Sequence, residues 1–155
     1  MRPRIAGVLA LVVLASTTAG CSSQQEKYCS ALEEEKETLA QLSGGSGDPE
    51  TGVVGETLAV FERLREDAPD DVSDEWDVYI TAWRGLDDAL TDAGADESMF
   101  SDGERPEGMS QEDYEAISAA AVELRSTRVV EAASGIEQHA LDVCKVDLNG
   151  ADLEG

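Results

Sequence analysis

The chain has 155 residues and a formal net charge of −23 at pH 7, from 34 acidic and 11 basic residues. That length suits one small domain. Its acidity is spread along the chain rather than gathered in blocks, so it repels nucleic acid and anionic headgroups and counts against a DNA- or RNA-binding role, leaving solubility or a cationic partner as readings.

The first residues, Met1-Arg2-Pro3-Arg4, are basic, Ile5 to Ala15 are apolar, and Ser16 to Gly20 are small. This is the layout of an export signal, with an apolar run too short to span a bilayer. Ala19-Gly20-Cys21 resembles the lipobox of bacterial lipoproteins, which implies cleavage before Cys21 and diacylglycerol on its thiol. Thr18 departs from the leucine usual in that family. Thr17 and Ala19 also form an ordinary signal-peptidase site, which would release a soluble protein.

Counting thiols separates the two. With three cysteines, Cys21, Cys29 and Cys144, an exported chain that keeps all of them free of lipid has an odd thiol in an oxidising compartment. Lipidating Cys21 leaves Cys29 and Cys144 to pair. Cleavage there leaves 135 residues (155 less 20) and removes Arg2 and Arg4, which takes the formal charge from −23 to −25. Acyl chains, at about 0.8 kcal/mol per buried methylene, make such an anchor permanent. The expected organisation is a signal peptide over 1–20, a lipidated N-terminus and short tether over 21–28, a helical domain over 29–148 and a disordered tail over 149–155.

Beyond the leader the apolar residues recur at helical spacing, with no alternating run that suggests a sheet. A first helix is expected from about Ser23, where Ser23 and Glu26 have capping-box spacing, to Ser43-Gly44-Gly45. Its stripe is Tyr28, Leu32, Leu39 and Leu42. Glu35 interrupts that stripe, which suits a helix at the edge of the fold.

A second helix opens at Asp48-Pro49, with an acceptor at the cap and proline at the first helical position, and runs to about Asp67. Val54, Leu58, Phe61 and Leu64 face inward, and Ala68-Pro69 ends it. Gly52 and Gly55 weaken its first turns, by up to about 1 kcal/mol each relative to alanine. A third helix, Ser73 to about Ala93, has the strongest pattern. Val72, Trp76, Tyr79, Trp83, Leu86 and Leu90 fall on one face, acidic residues crowd its N-terminus, and Gly94 ends it. This aromatic stripe reads first as core, and second as the lining of a ligand pocket.

Residues 94 to 109 form a long acidic loop in which Met99-Phe100 is expected to pin the loop to the bundle, with an anchor for a partner as the alternative. Ser110 and Asp113 open a helix bearing Tyr114, Ile117, Ala121 and Leu124. Ser126-Thr127 permits a break, and a last helix from about Arg128 buries Val129, Ala133, Ile136, Ala140 and Val143.

A bond between Cys29 and Cys144 brings the start of the first helix to the end of the last, within about 7 Å between α-carbons. Five equal helices running alternately up and down would place those ends at opposite poles. Residues 111–144 must therefore form one helix of about 50 Å against about 30 Å for the others, or else the 111–124 piece is separate and crosses the top of a four-helix core. The second is expected: an all-α fold, a four-helix bundle core with a short additional crossing helix, and the N- and C-terminal helices joined by the disulfide. Only seven residues separate Cys21 from Cys29, so the disulfide pole faces the membrane and the 43–48 and 94–110 loops face away.

The layout from Tyr28-Cys29-Ser30 to Cys144-Lys145-Val146-Asp147-Leu148 resembles small helical lipoproteins of actinobacteria. They carry a cysteine soon after the anchor and another before a short Val-Asp-Leu tail. The resemblance covers the two ends and implies a class and a disulfide rather than an activity. Lys145 stands where those proteins often have glycine.

Catalytic chemistry has little to start from. The single histidine, His139, one turn before Cys144, reads as a surface residue near a helix C-terminus, and there is no G-x-S-x-G and no free thiol once the cysteines are assigned. Carboxylate neighbours such as Asp87-Asp88 and Glu33-Glu34-Glu35 read as solvated faces. The set Asp92, Asp96, Glu97, Asp102 and Glu104 offers oxygen ligands for calcium but lacks the ordered Asp-x-Asp-x-Asp-Gly spacing. No enzyme, cofactor or metal site is expected. The function expected is a membrane-anchored extracytoplasmic domain that binds an envelope protein or component through the pole away from the membrane. The alternative is a carrier of a small apolar ligand in a pocket lined by Trp76, Tyr79 and Trp83.

Overall fold

The structure is a computed structural model and describes residues 19–43, 52–101 and 103–148. The leader up to residue 18, the 44–51 loop with its Asp48-Pro49 cap, Asp102, and the tail from 149 lie outside the described residues. Among the described residues the chain is all-α with no strand: α1 (Ala19–Ser43), α2 (Gly52–Asp67), α3 (Ser73–Ala93), α4 (Gln111–Glu123) and α5 (Thr127–His139). A 3-10 turn spans Glu97–Phe100, and α5 continues into a π turn over Ala140–Cys144. No helix among the described residues is long and apolar enough to cross a membrane.

Helix α3 is the hub, packed against α2, α4 and α5. Its expected stripe is buried at Val72, Trp76 and Leu90 and half-buried at Tyr79, Trp83 and Leu86. Val72 and Trp76 are buried almost completely, and Ile80, Ala82 and Leu90 are buried along the helix. Gly94 closes it in the left-handed region at φ 61°, with its N–H donating to Thr91 O and the Ala95 N–H to Leu90 O, both at 3.0 Å. That pair of bonds satisfies carbonyls a helix end would otherwise leave open, and glycine adopts the conformation without a Cβ penalty.

Helix α1 starts at Ala19, so residues 21–28 are its first turns and Ser23 lies inside the helix rather than capping it. Gln24 Nε2 donates to Ala68 O at 3.0 Å and docks this end onto the turn between α2 and α3. As the Glu35 interruption suggests, α1 is an edge helix that packs along α2 and touches the end of the chain through the π turn. Glu35 is answered by α2, since Arg63 donates from Nε and Nη2 to Glu35 Oε1 at 3.0 and 2.7 Å. Arg65 forms a fork to Asp77 Oδ1 and Oδ2 at 2.7 and 2.9 Å, and Arg84 pairs with Glu62. Each pair is exposed and individually weak, yet each joins neighbouring helices of a strongly acidic chain.

Two apolar clusters fill the fold. The larger joins Tyr28 and Leu32 of α1, Phe61 and Leu64 of α2, Trp76 and Ile80 of α3, and Ile136, Ala140 and Val146 near the chain's end. Tyr28, Leu32, Leu64 and Trp76 are fully buried, and such side chains contribute about 1.5–3 kcal/mol each. The smaller cluster joins Val54, Leu90 and Ile117, with Phe100 and Met109 at its edge. It seats α4, the short additional helix, on the C-terminal half of α3. Ile117 is the one fully buried residue of α4, while Tyr114, Ala121 and Leu124 are half-buried.

Helices α4 and α5 are separate, as the Ser126-Thr127 break predicts. Ser110 Oγ accepts from Asp113 N at 3.0 Å, and Ser126 Oγ accepts from Val129 N at 3.4 Å, so a serine caps each. Val129, Ile136 and Ala140 are buried as expected, but Val143 is 38% exposed. The π turn is wider than an α turn and rotates the residues after Ala140 out of the stripe's register. The same turn presents Cys144 to Cys29, and the two are disulfide-bonded with α-carbons 5.0 Å apart.

The turn ends at Lys145, which lies in the left-handed region at φ 63° while the Val146 N–H donates to Ala140 O at 3.0 Å. This conformation favours glycine, which has no Cβ to clash there. Here the Lys145 ammonium donates to Asp142 O at 2.7 Å and partly offsets the strain.

The disulfide spans 115 residues, a closure worth about 5 kcal/mol in the chain-entropy model. Cys29→Ser, Cys144→Ser and the double variant should therefore lose a similar amount, of about 4–5 kcal/mol, in urea unfolding; a loss below about 1 kcal/mol would show that the bond adds little to the packed helices. At the turn, Lys145→Val should cost about 1–2 kcal/mol while Lys145→Gly costs nothing or stabilises, read from the same unfolding curves.

Candidate functional site

The structure brings Cys29 and Cys144 together at one pole, with Cys21 on the same helix as Cys29. Next to them lies a network that the sequence pattern does not reveal. Trp76 Nε1 donates to the Tyr28 hydroxyl at 2.9 Å in the core. Burial, partly opposed by that bond and reinforced by Asp71, pushes the Tyr28 phenol up to about 12.

His139 packs its ring 5.6 Å from that of Tyr28, with Nε2 3.5 Å from Asp71 Oδ1. Its side chain is only 10% exposed, which corrects the surface placement expected from the sequence. The reason is the edge helix: α1 closes over the end of α5 where the disulfide holds it. Nδ1 of His139 is buried without a hydrogen-bond partner among the described residues.

The aromatic stripe of α3 meets Phe61 of α2. Phe61 lies 5.6 Å from Trp76, 5.0 Å from Tyr79 and 5.6 Å from Trp83, centroid to centroid, all tilted or edge-on. Beside this group a cleft of about 150 Å³ opens between α1, α2, α3 and α5. Leu39, Phe61, Trp76, Tyr79, Ala133, Ile136, Glu137 and Leu148 line it.

Trp76 and Tyr79 are therefore in the wall of a cleft, whereas Trp83 is set aside from it. The Trp83 ring packs edge-on against Tyr79, and its Nε1 holds the Tyr79 phenol down slightly without forming a complete hydrogen bond. Burial is the larger influence and raises the Tyr79 pKa, with Glu137 adding to the rise. Glu137 is the wall residue that sequence reading misses. It follows Ile136 on the flank of the α5 stripe, where periodicity alone marks it as solvated.

At the other pole the acidic loop turns its carboxylates onto helix starts. Asp96 accepts from the Ser98 N–H at 2.9 Å and from the Ser98 hydroxyl, which holds its pKa below the usual carboxylate range. Glu97 accepts from the Val53 N–H at the first turn of α2. Gly52 makes room for that cap: it sits at φ 73°, and a Cβ there would fall 2.9 Å from Glu97 Oε2. Phe100 pins the loop as expected, packing on the smaller cluster and stacking on Tyr114 at 6.4 Å. Met99 does not, being 42% exposed.

Asp87 is held above its ordinary pKa by partial burial and then by Asp88, Glu62 and Glu97. Among the described residues no group of three or more His, Cys, Asp or Glu is arranged to hold a metal ion; of the calcium candidates, Asp102 lies outside them.

An unfolded tyrosine ionises near 10 and the buried Tyr28 near 12, so the folded state binds the phenolic proton more tightly. Stability should be level below about pH 10 and fall by about 2–3 kcal/mol between pH 10 and 12, with Tyr79 adding in the same direction. Tyr28→Phe should cost about 1–2 kcal/mol at neutral pH by orphaning Trp76 Nε1, and should flatten the alkaline loss. An unchanged slope in urea unfolding across that range would refute the assignment to Tyr28.

Compared with known proteins, the chain matches no protein-family model, no curated protein and no solved structure.

Proposed function

We propose that the chain is a lipid-anchored extracytoplasmic helical domain without catalytic activity, acting as a binding module at the membrane surface. The observation that carries this reading is the bond between Cys29 and Cys144. A structural disulfide belongs to an oxidising compartment and leaves Cys21 as the third thiol, in the lipobox-like Ala19-Gly20-Cys21. With Cys21 acylated, the bonded pole lies against the membrane and the loop carrying Met99 lies at the far end. Met99 is an exposed apolar side chain among carboxylates, suited to anchor an envelope protein with a basic rim around an apolar pocket.

A second reading is favoured by the cleft beside Trp76 and Tyr79, which suits a carrier or sensor of a small ligand.

Expressed with its leader in a bacterium, the protein should enter the detergent phase of a temperature-induced separation and carry the mass of its acyl chains. Cys21→Ser should lose the acyl mass and leave the leader uncut. Wild-type protein found wholly in the aqueous phase without added mass would overturn the anchoring. For the partner, Met99→Asp should abolish cross-links formed in cells by a photoreactive residue placed beside it; undiminished cross-links would remove the far pole from the proposal.

A further inference from the structure

Near its end the chain passes from a covalently fixed residue to a strained one in a single step. Cys144 is bonded to Cys29 of α1, and Lys145, next to it, lies in the left-handed region at φ 63°. Lys145 is the one residue other than glycine with a positive φ among the described residues; the others are Gly52, Gly94, Gly103 and Gly108. The comparison with Gly94 is direct, since both residues close a helix in the same backbone conformation. Glycine does so freely, whereas a side chain with a Cβ disfavours the turn by about five- to thirty-fold. Strain of this kind, where a fold keeps it, is found at clamps and switches.

Beyond the strained residue, Val146 is buried in the larger cluster, its N–H donating to Ala140 O at 3.0 Å. Leu148 is half-buried against the same cluster and lines the cleft. The rings of Phe61, Trp76 and Tyr79 pack on one another, so the part of the wall that can change is aliphatic: Leu39, Ala133, Ile136 and Leu148. Of these, Leu148 alone belongs to no helix. At about 150 Å³ the cleft has the size of an apolar cavity that holds benzene, about half the roughly 300 Å³ at which sites for drug-sized ligands begin.

We propose that Val146–Leu148 is a strap hinged at Lys145, and that its release takes Leu148 out of the cleft and admits an uncharged aromatic molecule larger than benzene. This rests on the second reading above and adds a gate to it. The disulfide stops one residue short of the hinge, so the strap can swing while α1 and the end of α5 stay joined. In the empty protein the strap keeps the aliphatic wall from water. The strain at Lys145 limits how firmly it closes, and the apparent affinity for the ligand falls with the fraction of molecules in which it is shut.

The test titrates indole into the full chain in a maltoside detergent and follows the NMR signals of the Ile136 methyls and the Tyr79 ring. Micelles take up the same share of indole in every variant, so ratios of affinity are read directly. Lys145 lines no part of the cleft. Lys145→Gly should therefore act through the hinge alone, weakening indole about three- to ten-fold and slowing hydrogen exchange at the Val146 amide by a similar factor. Leu148→Ala should tighten indole by at least as much. Benzene, which fits without release of the strap, should bind the wild type and Lys145→Gly alike. Equal binding of indole by the wild type and Lys145→Gly would overturn the strap, even where Leu148→Ala tightens it by enlarging the cleft, and would leave a small-ligand carrier standing. Shifts from neither compound in any of the three proteins would overturn both.

Discussion

The covalent link between Cys29 and Cys144 is the constraint on which the arrangement of the outer helices depends. α1 has an interrupted apolar stripe and packs chiefly along α2, with smaller contacts to the π turn and, through Tyr28, to Trp76 and His139. By closing that edge, the bond covers His139, keeps Tyr28 beneath Trp76 and bounds the cleft on its α1 side. An edge helix held mainly by burial would open locally at much lower free energy than the core. The bond raises that local stability towards the global value.

The interior is organised differently. α3 needs no such device, because three helices lean on it and its apolar residues serve both clusters. The scarce arginines are placed where they matter electrostatically, with Arg63 joining α2 to α1 and Arg65 and Arg84 joining α2 to α3. In a chain this acidic, putting the positive charges between helices offsets the repulsion that like-charged faces would otherwise bring to each seam.

Much of this architecture could be read from the residues. The ends of α3, the break before α5 and the edge position of α1 follow from local chemistry: a glycine C-cap, a serine N-cap and a charged residue in an apolar stripe. The pairing of Cys29 with Cys144 is what the thiol count leads one to expect if Cys21 is taken up by a lipid, and the bond is present. What escaped the sequence depends on geometry between distant segments. Val143 fits an α-helical stripe and is displaced only because the last turn widens. His139 looks solvated until α1 folds over it. Glu97 reads as one carboxylate in an acidic loop, yet it caps a helix that begins 45 residues earlier, at Gly52. The cleft was legible in part: its aromatic wall lies in the α3 pattern, whereas Glu137, Leu39 and Leu148 join it from three other segments.

The left-handed turn at Lys145 also determines where the chain emerges. After that residue the backbone doubles back, buries Val146 and lays Leu148 against the cleft rather than leaving at the disulfide pole. Whatever is joined beyond Leu148 is thus tethered beside the cleft, while whatever is joined ahead of α1 is tethered at the N-terminal turns of that helix, near Cys29. A fluorophore fused at the C-terminal side would report on occupancy of the cleft, and one at the N-terminal side on the distance to the bilayer, so the two ends of this short chain give independent views of its two candidate surfaces.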